Sequence, residues 1–296
     1  MGLLAISIGR STVFMPDRDK PYPTLLAFLV NRFPQINESI WLQRITSGKV
    51  LAEDGTPVSL ATPYVPNQRL FYFREVAEES VIPFQERILY TSEHLLVACK
   101  PHFLPVTPGG PYVTETLINR LKMSTGNLSL SPINRIDRGT AGIVLLSTNK
   151  KTRGLYQQLF MDGMVKKTYQ AKVDFPTNTN ETEWLVENRI IQGKPWFRMQ
   201  MHHGEVNARS KIQLIETKGS QALLQLYPMT GKKHQLRIHL SDLGFPIIND
   251  RYYPALLAKT ADDYKFPLQL LSKSIEFRDP MSGVNMFFES DRNLIL

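Results

Sequence analysis

Ile133 to Asn149 reads INRIDRGTAGIVLLSTN. It sets one acid between two bases, Arg135-Ile136-Asp137-Arg138, ahead of a small-residue turn, Gly139-Thr140-Ala141-Gly142. The apolar run Ile143-Val144-Leu145-Leu146 then reads as a buried strand. Small residues let the backbone bend tightly where Asp137 is presented. A carboxylate on a loop braced by a core strand is rigidly held, which is the geometry a catalytic group needs. The same spacing also suits a surface ion-pair cluster, and spacing alone does not choose between the two.

Two further stretches carry unusual side chains. In Val165 to Val173, alternation places Val165, Lys167, Tyr169, Ala171 and Val173 on one strand face. A lysine and a tyrosine are out of place on a plain core strand, so this face is expected to open on a cleft. The alternative is that Tyr169 simply packs with its hydroxyl hydrogen-bonded. Thr230 to Leu240 reads TGKKHQLRIHL, and Gly231 is expected to allow the turn into a helix that runs to Leu243 and stops at Gly244. His234 and His239 are five positions apart in sequence, where a metal pair on one helix face would want four, so both read as structural hydrogen-bonders. His94 reads as a turn residue and His102 as a surface-loop residue. The adjacent His202 and His203 would point to opposite sides of a strand. No His-Glu-x-x-His, Cys-x-x-Cys or glycine-rich phosphate loop occurs, which leaves a metal or nucleotide enzyme poorly supported.

Together these stretches resemble the motifs of the RluA-type RNA pseudouridine synthases. The family pattern His-Arg-Leu-Asp-Arg-x-Thr-Ser-Gly is met by the Arg-x-Asp-Arg core, Thr140, Gly142 and, further on, Asn149. Asn134 stands for the His, Ile136 for the Leu and Ala141 for the Ser. Lys167, Tyr169 and Ala171 match a Lys-x-Tyr-x-Ala pattern. Thr230 to Leu240 matches the third motif, with Lys232 in place of an arginine. Lys100-Pro101 and Thr107-Pro108-Gly109-Gly110 resemble the opening motif. Phe245 to Tyr253 resembles a Pro-Ile-x-Gly-Asp loop in which Asn249 replaces the glycine, so that either Asn takes up the positive φ or the loop differs slightly. The resemblance spans roughly residues 88 to 290.

The resemblance implies that Asp137, Tyr169 and Arg237 are catalytic, with Arg237 paired to Asp137, and that Arg135 enters the space left by a flipped uridine. Arg138, Lys167, Lys232 and Lys233 would hold phosphates. Converting uridine to pseudouridine breaks the bond from sugar carbon 1′ to uracil nitrogen 1 and rejoins the base through carbon 5. No redox change occurs, so neither cofactor nor metal is expected. Asp137 either attacks the sugar or assists formation of a glycal. Tyr169 either stacks on the uracil or takes part in proton transfer. A non-catalytic RNA-binding protein that keeps the fold is the competing reading, suggested by Asn134 and Asn249; a hydrolase pairing Asp137 with a histidine lacks a supporting motif. The intact set of Asp137, Tyr169 and Arg237 argues for the enzyme.

The elements that must position these groups follow from pattern. The chain has 296 residues, 42% of them hydrophobic, enough for a packed core in one large domain or in a small domain and a larger one. The fold class that the resemblance implies is α+β: a central mixed, mostly antiparallel sheet flanked by helices with a cleft across it, plus a small N-terminal α/β module. Residues 1–20 carry no regular pattern. Helices are expected over Thr24 to Phe33 and from Asn37 or Ser39 to Ser47, then strands at Lys49 to Leu51 and Arg69 to Phe73 around an Asp54-Gly55 turn. This order resembles an RNA-binding module shared with a ribosomal small-subunit protein, in which Arg44 and Lys49 would face phosphates. Residues 1–78 form that module in this reading, the acidic stretch from Glu75 to Glu86 reads as a linker, with its limits set at 79–87, and 88–296 form the catalytic domain. A helix is expected over Thr114 to Met123 with Thr114 as cap, another over Lys150 to Met161, and paired strands at Ala208 to Glu216 and Ala222 to Tyr227. Phe266 to Leu271 and Ile275 to Phe277 read as final strands, and residues 174–205 resist reading.

Net charge is +8, which favours an anionic partner, nucleic acid being the usual one; composition does not choose between RNA, DNA and anionic lipid, and RNA, ribosomal or transfer, is what the resemblance implies. No run of about 18 apolar residues is present, so no membrane span is expected. The first residues lack the basic start of a signal peptide, and Ile6 is wrong for myristoylation of Gly2. The single cysteine, Cys99, reads as a buried thiol and fits a reducing compartment, and a cytoplasmic monomer is expected.

Overall fold

The computed structural model describes residues 5–6, 10–73, 75–76 and 79–296. The signal-peptide and myristoylation readings of the chain start lie outside these residues, apart from Ala5–Ile6. The chain divides into two compact units, residues 1–80 with 108–114, and residues 81–107 with 115–296.

The smaller unit runs β1 (Ala5–Ile6), β2 (Ser11–Phe14), α1 (Leu25–Arg32), α2 (Glu38–Thr46), β3 (Val50–Leu51), β4 (Arg69–Tyr72) and β5 (Glu75–Val76). Thr24 caps α1 by accepting from the Ala27 amide, and Asn37 caps α2 by accepting from that of Ser39. The three-stranded sheet has the order β2-β4-β3, and Phe28, Leu29, Trp41, Ile45, Val50 and Leu70 are in its core. Two expectations are corrected here. Ser11–Phe14 is a strand, because β4 supplies its ladder partner. Glu75–Val76 does not open a linker but pairs with Ala5–Ile6. Both strands are short and defined by distant partners, so no local pattern marks them.

The larger unit runs β6 (Arg87–Thr91), β7 (Leu95–Lys100), α3 (Leu117–Thr125), β8 (Ser131–Pro132), β9 (Ala141–Ser147), α4 (Arg153–Met161), β10 (Lys166–Asp174), β11 (Glu183–Gln192), β12 (Met199–His202), β13 (Ala208–Lys218), β14 (Gln221–Pro228), α5 (Gln235–Asp242), β15 (Leu270–Arg278) and β16 (Asn285–Glu289). Its sheet is ordered β12-β11-β13-β14-β10-β15-β9-β7-β6, with β16 on β15 and β8 on β9. Only the pairing of β9 with β15 is parallel, so the unit is α+β with a mixed, mostly antiparallel sheet. Every residue of β7 and β9 is buried, which is why both read as apolar runs without alternation. Leu236 and Leu240 of α5 pack with Ala171, Val173, Leu224 and Leu226 of β10 and β14. Such burial contributes about 2 kcal/mol per leucine and holds the helix against the sheet.

Several element boundaries differ from the pattern. Helix α3 starts at Leu117 with Thr116, not Thr114, as its cap. Thr114 is instead tied to the Glu79 carboxylate through both its amide and its hydroxyl. The unreadable stretch forms β11 and β12 at the sheet edge, where only Val186 and Ile190 of β11 are fully buried, too sparse a pattern to read. The last strands merge into one, β15. No described helix is long and apolar enough to cross a membrane.

Candidate active site

Asp137 sits on the turn that feeds β9, closed by the Thr140 amide donating to the Asp137 carbonyl at 3.1 Å. The turn is braced from below. Lys100, wholly buried at the end of β7, donates from Nζ to the carbonyls of Pro101 (2.9 Å), Leu104 (2.6 Å) and Arg138 (3.1 Å). His102 Nδ1 lies 2.7 Å from the Gly139 carbonyl. His102 is therefore not the surface-loop residue that the sequence suggested; burial pushes its pKa down to about 4, so the ring is neutral and Nδ1 donates. Asn134 accepts from the Leu145 amide at 2.8 Å, which ties the start of the loop to β9. Gly142 has φ of 111°, and a Cβ there would lie 2.1 Å from the Ser272 carbonyl oxygen. Glycine alone permits β9 and β15 to meet at this point.

Arg237, on the first turn of α5, reaches this loop from a position 100 residues later, donating from Nη1 to Asp137 Oδ2 at 3.0 Å. Its other edge is clamped by Asp250, with Nε to Oδ2 at 2.7 Å and Nη2 to Oδ1 at 2.6 Å. Asp250 Oδ1 also accepts from the Tyr252 and Tyr253 amides, and its side chain is 1% exposed. One buried acid thus orients the guanidinium, which in turn orients the exposed acid. Asn249 takes φ of 63° in the loop that delivers Asp250, the conformation a glycine would otherwise supply.

His234 precedes α5 in the left-handed conformation, φ 56°, so the entry into the helix is made there and not at Gly231. Its Nδ1 is 2.9 Å from the Tyr253 hydroxyl and its Nε2 3.8 Å from Asp137 Oδ2. Burial, only partly opposed by Asp137, lowers its pKa to about 4, so it is a neutral ring at working pH. Burial also works to raise the pKa of Asp137, but Arg237 and then His234 outweigh it and hold the carboxyl below the usual range. With 28% of its side chain exposed, Asp137 is an ionised carboxylate that a ligand can touch.

The carboxylate opens on a cavity of about 870 Å³ lined by Arg135, Lys167, Tyr169, Lys232, Lys233 and His234 among others. That volume lies near the upper end for ligand sites. Tyr169 and Lys167 come from β10, whose register against β15 shifts between Thr168 and Tyr169, a bulge of the sort that re-aims side chains beside active sites. Burial raises the Tyr169 pKa, partly offset by its bond to Ser272, and lowers that of Lys167, whose Nζ donates to the Thr230 carbonyl at 3.2 Å.

The remaining expected site residues are paired with acids. Arg138 lines the cavity too, but its guanidinium forks onto Asp262 at 2.6 and 2.8 Å. Arg44 and Lys49 belong to the smaller unit, where both face Glu75. The Arg44 side chain is 6% exposed and stacks on Trp41, so it is not presented to solvent. Sequence reasoning missed Asp250, Lys100, His102 and His234 as members of the site. The first belongs to the same loop as Asn249, and the next two to the Lys-Pro stretch. Both stretches carried a motif match that was not converted into a role.

Fold and site together define a class: an α+β protein with one ionised carboxylate at the floor of an open cleft rimmed by cations. Residues 94–242, just over half of the chain, match the family model of RNA pseudouridylate synthase, and the chain belongs to that family. An uncharacterized RNA pseudouridine synthase of Synechocystis is 29% identical over 232 residues, spanning 77% of this chain and 79% of its own. The dual-specificity RNA pseudouridine synthase RluA of Haemophilus influenzae is 28% identical over 207 residues, 69% of this chain and 91% of that one. The solved human RNA pseudouridylate synthase domain containing 4 superposes with a TM-score of 0.53 at 25% identity, over 69% of this chain and 88% of that one. By this membership the chain is an RluA-type isomerase acting on RNA.

Proposed function

We propose that this chain isomerises a specific uridine of structured ribosomal or transfer RNA to pseudouridine, with Asp137 as the catalytic carboxylate. The observation that carries the reading is the 3.0 Å pairing of Asp137 with Arg237 at the floor of the cavity. An anion fixed in direction is what carbon 1′ requires as its bond to nitrogen 1 breaks and positive charge develops on the sugar. Asp137 meets that charge, either by bonding to the sugar or by assisting a glycal. The freed base turns within the cavity and bonds through carbon 5, which gives up its proton as nitrogen 1 gains one. Tyr169 faces the same space, as a stacking surface or a proton carrier. Arg135, exposed on the rim, fills the gap left in the RNA by the flipped nucleotide, its planar fork stacking and donating at once. Lys167, Lys232 and Lys233 hold phosphates.

The reading as a non-catalytic RNA binder rested on Asn134 and Asn249. Each has a structural task, at the Leu145 amide and at the positive-φ turn, that leaves Asp137 in place, which favours the enzyme. Domain limits of 1–78, 79–87 and 88–296, the smaller unit as an RNA-binding module, and a cytoplasmic monomer are parts of the same proposal. The buried free thiol of Cys99 supports a reducing compartment. The test is tritium release from RNA labelled at carbon 5 of uridine. Asp137→Asn is expected to bring release to background while the melting temperature stays close to that of the unaltered chain. Undiminished release would remove Asp137 from the mechanism.

A further inference from the structure

The turn between β11 and β12 displays a tryptophan that the isomerisation does not use. Trp196 is 73% exposed, whereas Trp41 is fully buried and Trp184 packs against the core. The frame beneath the indole is fixed. The Gly193 amide donates to the Arg198 carbonyl at 3.0 Å and the Arg198 amide to that of Pro195 at 2.9 Å. Gln192 Nε2 donates to the Trp196 carbonyl at 2.9 Å. The Arg198 guanidinium donates to the Pro254 carbonyl at 3.2 Å and lies 5.0 Å from the Tyr253 ring centroid.

Two connections tie this indole to the Asp137 cavity. Lys233 lines the cavity, and its Nζ lies 5.8 Å from the Trp196 ring centroid. A ladder of rings also runs inward: Trp196 to Phe197 at 5.9 Å, Phe197 to Tyr252 at 5.4 Å and Tyr252 to His234 at 5.6 Å, beside the carboxylate. An open π-face next to an ammonium, at the rim of the site, suits a ligand with a flat ring joined to an anion. An unstacked nucleotide is such a ligand, and flipping one nucleotide out of a stack leaves its neighbour with a bare face.

We propose that Trp196 is a stacking platform for an unpaired nucleobase flanking the target uridine, with Lys233 holding the phosphate between them. The proposal rests on the reading of the chain as an enzyme acting on RNA. It adds a second base-binding position outside the Asp137 cavity.

The test titrates the full chain with a single-stranded oligouridylate while following indole fluorescence. Saturable quenching is expected, and it should vanish in Trp196→Phe, since Trp41 is fully buried and Trp184 is packed, partly buried, against the core. Trp196→Ala is expected to bind roughly ten-fold more weakly, from the usual worth of one base–aromatic stack. Trp196→Phe should regain most of that affinity, because its ring still stacks. An abasic ribose-phosphate oligomer should not quench, and it should bind the unaltered chain and Trp196→Ala alike. In the tritium assay the loss in Trp196→Ala should fall on KM and not on kcat. Equal affinity of the unaltered chain and Trp196→Ala, or quenching that survives Trp196→Phe, overturns the platform; so does quenching by the abasic oligomer. Should Trp196→Ala fail to fold, the Phe variant and the abasic oligomer still decide. Tritium release with no dependence on Trp196 removes the platform and leaves the synthase. Trp196-dependent binding without tritium release keeps the platform and removes the synthase.

Discussion

At the scale of single residues, the site turns on one guanidinium shared by two acids. Arg237 is held above its ordinary pKa: burial opposes its charge, but the bonds to Asp250 and the charge of Asp137 outweigh that. A lysine ammonium is a point charge and cannot span both carboxylates. In Arg237→Lys the ammonium should stay with Asp250, the more deeply buried acid, and burial should then dominate at Asp137 and raise its pKa. An acid that must be ionised loses activity as pH falls through its pKa. The acid limb of the pH–rate profile should therefore move upward, by about one pH unit or more. An unmoved limb would show that Arg237 does not set the ionisation of Asp137. The pairing of Asp137 with Arg237 was legible through the resemblance of two motifs. Asp250 was not, because nothing near it in sequence says that its side chain is buried against α5.

At the scale of elements, the loop works because three neighbours hold it: the end of β7 with Lys100 and the following His102, Asn134 before β9, and the close approach of β15 at Gly142. Gly142→Ala would drive a Cβ into the Ser272 carbonyl at a positive φ, so one of the two strands must move. We expect a stability loss of about 4 kcal/mol or more in chemical denaturation, the range reserved for disruption of buried structure. A loss under about 1 kcal/mol would mean that the β9–β15 pairing gives way easily. The buried strands were readable because unbroken apolar runs leave few alternatives. The edge strand β12 and its neighbour β11 were not, because the outer strands of a sheet need only a few inward residues. The α3 cap was misplaced for a different reason: Thr114 and Thr116 are chemically equal as caps, and only the backbone path tells which amide each can reach.

At the scale of the whole molecule, the 35 lysines and arginines overstate the cations that RNA can meet, because several are paired with acids. Arg138 is forked onto Asp262, Arg120 onto Glu86 and Glu115, and Arg44 with Lys49 onto Glu75. Lys232 and Lys233 are exposed at the cavity rim. Lys232→Gln should therefore lower the slope of log affinity against log salt by about 0.7 to 1, measured with RNA across a salt series. Arg44→Gln should leave that slope unchanged and lower stability by about 1 to 2 kcal/mol, since Lys49 stays on Glu75 and the loss is that of the buried Arg44 stem and its stack on Trp41. A fall in slope with unchanged stability would return Arg44 to the RNA-facing surface first expected of it.

From the sequence alone, the α+β class, the buried central strands, the loop that carries Asp137 and the family it resembles were determined, because periodicity, small-residue turns and motif spacing are local properties of the chain. Tertiary structure alone decided which basic residues are spent on neighbouring acids, which histidines are buried neutral, and which acid orients Arg237. Those outcomes depend on distances and burial between residues that are far apart in sequence, and such distances exist only once the sheet has closed.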